Sequence, residues 1–220
     1  MTTSTNLRSV AAEFALTWPS MYLRLGDDGM LDESTHDTPQ HVPLLYFSTD
    51  VELLSAEEIG RRLAMLAEPD DFRHIDPAEG LLPFGMEPGG NLYCFHTGAA
   101  DGDRVPVVLL QNDGPEDERL APDLSGFVFG EMLRTATEFY EDDYLGEGDP
   151  KQNAATWLRT HEPYLEPGQV TVLRDVFGRP LVHRDDDSIA FLEPSDAEHL
   201  IDTVLEYPER HEPLRLWERG

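Results

Sequence analysis

The sequence predicts an α+β fold, a twisted and mostly antiparallel sheet flanked by helices. Three observations carry this expectation. "NLYCFH" (91–96) and "VPVVLLQ" (105–111) are apolar runs of strand length, joined by the flexible hairpin loop "TGAADGDR". "SAEEIGRRLAMLAEP" (55–69) and "SDAEHLIDTVLEY" (195–207) each open on a Ser followed three residues later by Glu, the capping-box spacing, and carry apolar residues at helical spacing. No repeat or low-complexity linker divides the 220 residues, so a single domain over 1–220 is expected.

Taken in order, the amino terminus offers a short helix over Val10–Leu16, interrupted at Trp18-Pro19 because the proline ring disfavours a helical residue before it. "LGDDGML" reads as a turn and "DESTHDTPQH" as a polar loop. "PLLYF" suits a short buried strand. In the following helix Ser55 and Glu58 form the box, Ile59, Leu63 and Leu66 the stripe, and Pro69 the end. Along "NLYCFH", Leu92, Cys94 and His96 alternate with Tyr93 and Phe95, and both sets are largely apolar, as in a strand covered on two faces. Pro106 lacks an amide and belongs near the start or edge of the returning strand.

"LSGFVFGEMLRTATEFYED" places Leu124, Phe127, Val128, Met132, Ala136, Phe139 and Tyr140 on one helical stripe, with Gly126 and Gly130 each weakening the helix by about 1 kcal/mol relative to Ala. "NAATWLRTHEPYL" gives one short helix. "GQVTVLRDVFGRPLVH" reads as strand, Gly-containing turn and strand, and "RDDDSIAFLEP" as a turn and a further strand. The last helix carries Leu200, Ile201, Val204 and Leu205 behind Ser195 and Glu198.

Charge is the outlying number: 44 acidic against 16 basic residues, a formal net of -28. Such a surface repels nucleic acid and anionic lipid and attracts basic partners at a distance. Adaptation to a salty cytoplasm or a GC-rich genome would leave a similar trace, because 15 of the 16 basic residues are Arg and only Lys151 is Lys. Residues 99–150 hold 14 Asp/Glu and 3 Arg, mostly in "NDGPEDER" and "EDDYLGEGDP", which read as solvated loops first and as interaction surfaces only with independent support. No apolar run approaches the roughly 20 residues of a membrane span. The first 20 residues lack a clean apolar signal region, and a soluble cytoplasmic protein is expected.

The core "LLPFGMEPGGNLYCFHTG" (81–98), the short strand after it, the acidic loop and a helix starting at Ser125 resemble the SUKH superfamily in their order. That group holds bacterial immunity proteins and a yeast cell-wall assembly regulator. Its recurrent positions, Pro-Phe, a Gly pair with Asn, an apolar-x-Cys-apolar strand and a Ser-Phe-apolar-Leu helix, fall here on Pro83, Phe84, Gly89, Gly90, Asn91, Tyr93, Cys94, Phe95, Ser125, Phe129, Met132 and Leu133. The resemblance covers about 44–140. The family's amino-terminal Leu-Pro-x-x-Tyr and Asn-Gly stand here as "WPSMYLRLGDDG", and 150–220 supply strands and a helix beyond it, either within the same domain or as an extension. The residues themselves serve a fold: the glycines allow positive φ in a tight turn, Pro83 and Pro88 stiffen its approach, and Phe84, Tyr93 and Phe95 bury large area.

Candidate chemistry is thin. "HRDDD" (183–187) has the His-Arg-Asp order of a kinase loop without the Gly-rich loop, the strand lysine or Asp-Phe-Gly. Asp185, Asp186 and Asp187 could bind a cation for a metal-dependent hydrolase, or line a solvated turn. None of the eight His residues forms a helical metal pair. Cys94, the sole cysteine, excludes a disulfide and reads as a buried thiol in an apolar strand. No cofactor or metal is expected. The resemblance implies a non-enzymatic immunity protein that neutralises a cognate toxin of nuclease or deaminase type by direct binding; a regulatory or scaffold protein of the same fold is the alternative. A basic toxin domain would meet the acidic loops, so Asp101, Asp103, Glu116, Asp117, Glu118, Glu141, Asp142 and Asp143 are the expected contact residues.

Overall fold

The computed structural model describes residues 3–32, 42–48, 50–68, 70–205 and 213–216. They form two compact units, Met1–Asp28 with Asp50–Leu124 and Pro208–Gly220, and Gly29–Thr49 with Ser125–Tyr207. The α+β expectation holds: the described residues contain seven α-helices, a five-stranded antiparallel sheet and a two-stranded hairpin.

The first unit carries helices α1 (Thr3–Glu13), α2 (Ser20–Asp27) and α3 (Ala56–Leu66) with strands β1 (Glu52–Leu53), β2 (Leu81–Met86), β3 (Leu92–His96), β4 (Val107–Leu110) and β5 (Asp117–Ala121). The sheet runs β1-β2-β3-β4-β5 in chain order, which leaves β1 and β5 as its edges. All five residues of β3 are buried, so both of its faces are covered, as the double apolar alternation requires. On one face Phe95 stacks on Phe84 with ring centroids 4.5 Å apart, and Tyr22 of α2 meets Phe95 edge-on at 5.4 Å. Trp18 stacks on Tyr22 at 4.7 Å and donates its indole N–H to the Leu7 carbonyl, which fixes α2 against α1.

The β2–β3 hairpin accounts for the patterned stretch at 81–98. Gly90 has φ +90°, and a Cβ there would also lie 2.9 Å from Asn112 Nδ2. Asn91 locks the turn, donating to Glu87 and accepting the Asn112 amide at 2.8 Å. Gly89 is not in the left-handed region, so only the second glycine of the pair supplies the positive φ expected of both. Pro83 sits inside β2 beside a register shift between Pro83 and Gly85, where a missing amide is tolerated.

The second unit holds all but the first residue of α4 (Leu124–Thr135), then α5 (Pro150–His161), α6 (Pro167–Gly178), the hairpin of β6 (Val182–His183) and β7 (Ile189–Ala190), and α7 (Pro194–Leu205). Its core gathers Trp157, Phe177, Phe191, Phe139 and Phe47, all buried. Ser125 donates to Gln169 at 2.7 Å, and the same amide oxygen accepts the Glu166 N–H at 2.9 Å, so one buried glutamine joins the starts of α4 and α6.

Several local expectations are corrected. "GQVTVLRDVFG" is helix, not strand: Gln169, Val170, Leu173, Val176 and Phe177 are its buried residues, a helical spacing that outweighs the β-branched composition. "PLLYF" is a buried turn in which Leu45 takes φ +57°. β1 and β2 are strands that no local pattern announces, and the last three residues of the "NDGPEDER" loop, Asp117 to Arg119, belong to strand β5. The helix from Leu124 stops at Thr135, because Phe139 exchanges both backbone hydrogen bonds with Ile189, at 3.0 and 2.7 Å. α1 starts earlier than Val10, and the first three residues of "LGDDGML" complete α2 while the remaining four form the expected turn.

The Ser55–Glu58 capping box is present. The Ser195–Glu198 box is not used: α7 begins at Pro194, the Glu193 carbonyl accepts from Asp196 and Ala197, and Glu198 pairs with Arg134 at 3.0 Å. Pro69 and residues 33–41 of the polar loop lie outside the described residues. No helix among the described residues is long and apolar enough to cross a membrane.

Candidate functional site

The eight expected contact residues fall on different supports. In the first unit Asp101 and Asp103 lie in the β3–β4 connection, while Glu116, Asp117 and Glu118 lead into and along the edge strand β5. Asp103 caps a helix: its carboxylate accepts the Ser20 amide at 3.0 Å and the Ser20 hydroxyl, at the start of α2, where Pro19 offers no cap of its own. In the second unit Glu141, Asp142 and Asp143 lie on the loop 138–149, and Asp143 accepts the Tyr140 amide at 2.8 Å, closing a turn.

That loop is the best-formed acidic feature of the second unit. The Asn153 amide of α5 donates to the Leu145 carbonyl at 3.1 Å and the Glu147 carbonyl at 2.8 Å. Leu145 is buried beneath it, and Gly146 lies against the backbone of Tyr140. The fold therefore braces the loop from beneath and leaves Glu141, Asp142, Tyr144 and Glu147 exposed. Tyr144 is 59% exposed while its ring stacks on Tyr46 at 4.5 Å. Tyr140 is also exposed, and its hydroxyl donates to Glu138 at 3.0 Å; that carboxylate, with Asp186 and Asp143 nearby, holds the phenol pKa above its ordinary value.

Sequence reasoning missed these tyrosines as surface groups because it counted Tyr140 with a buried helical stripe. The signal was present all the same: two Tyr within five residues of an acidic tract match the composition of binding surfaces, where aromatic side chains supply area at low entropic cost.

The "HRDDD" segment is a hairpin turn. Asp186 accepts from the Ser188 hydroxyl at 2.7 Å and the Ser188 amide at 3.1 Å, and these bonds hold its carboxyl below the usual aspartate range. Arg184 donates to the Thr137 carbonyl at 2.9 Å and pairs with Glu193 at 3.1 Å. Among the described residues no three His, Cys, Asp or Glu side chains converge as a metal site would require. Cys94 is wholly buried, and desolvation pushes its thiol well above the ordinary value.

A second polar cluster, invisible in the sequence, lies in the first unit. β2–β3 register sets Leu81 opposite His96, which brings Glu79 to the imidazole: His96 Nε2 lies 2.7 Å from Glu79 Oε2, both residues buried. Arg215 donates to the other carboxylate oxygen. Burial raises the Glu79 pKa, but the hydrogen bonds from Arg215 and His96 outweigh it and leave the carboxyl below its ordinary value. Glu79 is thus an ionised acceptor, and His96 Nε2 carries the donated proton.

No family model, curated protein or solved structure matches this chain.

Proposed function

We propose that this chain is a non-enzymatic binding protein, an immunity protein of the SUKH type that neutralises a basic nuclease- or deaminase-type toxin by covering it. One observation supports this reading above the rest: the rigid loop 138–149 sets the exposed rings of Tyr140 and Tyr144 among Glu138, Glu141, Asp142 and Asp143. A basic cleft would be met by carboxylates that steer the encounter and by aromatic area that holds it once water is expelled. The overall charge of -28 extends the attraction beyond the contact at low salt and sets nucleic acid aside as a partner. Hydrogen bonds within the loop reduce the ordering cost of binding.

The test is co-expression of this chain with the protein encoded immediately upstream, or with that protein's last ~150 residues as a domain-sized unit, while growth is followed. Relief of toxicity by the wild-type chain, weakened in a Tyr140→Ala/Tyr144→Ala/Asp142→Asn variant that still folds, is the expected result. Toxicity that the wild-type chain cannot relieve refutes the immunity reading. A stable complex with a non-toxic partner would instead favour a regulatory scaffold.

A further inference from the structure

We propose that an apolar pocket between the end of α1, α3 and the start of β2 binds a short aliphatic amine, its carbon chain inside and its ammonium group at Asp76. The pocket lies wholly in the first unit and does not depend on the acidic loop 138–149.

Three changes of chain direction build it. After α1 the Ala15 amide donates to the Ala12 carbonyl at 3.2 Å and the Leu16 amide to the Ala11 carbonyl at 2.9 Å. This kind of helix stop puts the intervening residue in the left-handed region, and Ala15 takes φ +56°. His74, before Ile75, has φ +50°, and Gly80, before Leu81, has φ +63°. Each turn is followed at once by a wall of the pocket: Leu16, Ile75 and Leu81. Phe14 and, one turn apart on α3, Leu63 and Leu66 supply the rest of the apolar surface. Alanine and histidine enter the left-handed region only at a cost, and backbone held there concentrates at binding sites.

Size and exposure narrow what fits. The cavity measures about 90 Å³, roughly three-fifths of a 150 Å³ cavity that takes benzene, so about three or four carbons fill it. Ala67 and Pro77, also on its wall, are exposed, so the pocket opens to solvent and a polar head group can stay outside. Charge selects that head group. Asp76 is the one charged residue on the described lining; it is half-buried, and its carboxylate accepts the Ala78 amide at 2.8 Å. Glu13 and Glu68, both exposed, adjoin the wall residues Phe14 and Ala67. The charges of Arg61 and Arg62 act on Glu58, and Arg73 pairs with Asp71 at 2.7 Å with His74 near the same carboxylate. Arg215, whose charge also reaches Asp76, is held by Glu79, and Arg8 stands more than a turn before Glu13 on α1. An ammonium group therefore meets complementary charge at this mouth, and a carboxylate meets repulsion.

The methyl NMR signals of Leu63, Leu66, Ile75 and Leu81 in the full chain report on occupancy. They are followed at neutral pH and one ionic strength during titration with n-butylamine, 1-butanol, butyrate and ammonium chloride. The expected result is saturable shifts with butylamine, weaker binding of 1-butanol and butyrate, and no shift with ammonium chloride. Asp76→Asn keeps a side-chain acceptor for the Ala78 amide and should weaken butylamine about two- to fivefold, the worth of a part-exposed ion pair, with 1-butanol unchanged. Leu16→Ala enlarges the pocket and should move its preference from butylamine to hexylamine. If that variant does not fold, wild-type affinity along the series ethylamine, butylamine, hexylamine must stop rising at butylamine. Unmoved signals with butylamine, equal binding of butylamine with butyrate or 1-butanol, wild-type affinity for butylamine in Asp76→Asn, or a steady climb through hexylamine would overturn the proposal.

Discussion

Replacing Gly146 by Ala tests whether the loop 138–149 is held as rigidly as its hydrogen bonds imply. A Cβ at Gly146 would lie 1.8 Å from the Tyr140 carbonyl oxygen, 2.7 Å from its carbon and 3.1 Å from Glu141 Cα. An ordinary contact needs about 3.4 Å, so the backbone of 140–141 must retreat by roughly 1.6 Å. These are main-chain atoms and cannot rotate aside. The displacement would break the Tyr140–Asp143 bond of 2.8 Å and strain the Asn153 bonds to Leu145 and Glu147. Three bonds at about 1 kcal/mol each, partly solvated, give an expected loss of about 2–3 kcal/mol.

Gly148→Ala is the matched control. Nothing lies within 4 Å of a Cβ there, but φ is +74°, so only conformational strain of about 1 kcal/mol is expected. Urea unfolding of both variants gives the comparison. If Gly146→Ala is as stable as wild type, or no worse than Gly148→Ala, the loop is not held against Tyr140 and the rigid-surface argument fails.

Gly130→Ala should go the other way, gaining about 0.5–1 kcal/mol in urea unfolding, because a Cβ in mid-α4 would meet only the far end of the Arg134 side chain at 3.4 Å and Ile201 at 3.8 Å. Ser125→Ala removes a buried donor to Gln169 and should cost about 1–2 kcal/mol by the same measurement, whereas an exposed serine would cost almost nothing. Cys94 should resist iodoacetamide in the native protein and react fully in urea, since burial both blocks access and suppresses the thiolate; rapid native labelling would contradict its placement. The carboxyl of Glu79 titrates below its ordinary 4.5, so its contribution to stability is complete above that pH and is lost as pH falls through the lower folded value; Glu79→Gln should flatten that part of the acid limb of the stability profile.

How far the sequence revealed this fold depended on whether a signal was local. β3, β4 and α3 were legible because alternation, a Gly-rich connection and the Ser55–Glu58 box each act over a few residues. α6 was misread because Gly168 and Gly178 bracket a Val- and Thr-rich run whose helical state is decided by burying Val170, Leu173 and Val176 together. Phe139 left its predicted helix for a partner fifty residues away, Ile189, and no window of sequence holds both. The same limit applies to function. The acidic residues could be counted in advance, but the Glu79–His96 pair exists only through the β2–β3 register.

Structure also sorts acids that composition treats alike. Asp103 secures the start of α2 and Asp143 closes the Tyr140 turn, so local geometry already explains those two carboxylates. Asp117 and Glu118 lie on β5, an edge strand of the sheet among the described residues, and charged side chains on an edge discourage pairing with another strand whatever the partner. Glu141 and Asp142 differ. Both are exposed, on a loop whose shape other residues set, and neither side chain makes an ion pair or hydrogen bond among the described residues. A fold needs no charge at those positions, and two adjacent carboxylates between exposed tyrosines cost some mutual repulsion. The proposed binding role would give those two charges a use that stability does not. Neutralising Glu141 and Asp142 together should therefore leave unfolding unchanged and slow association with a basic partner, most at low salt.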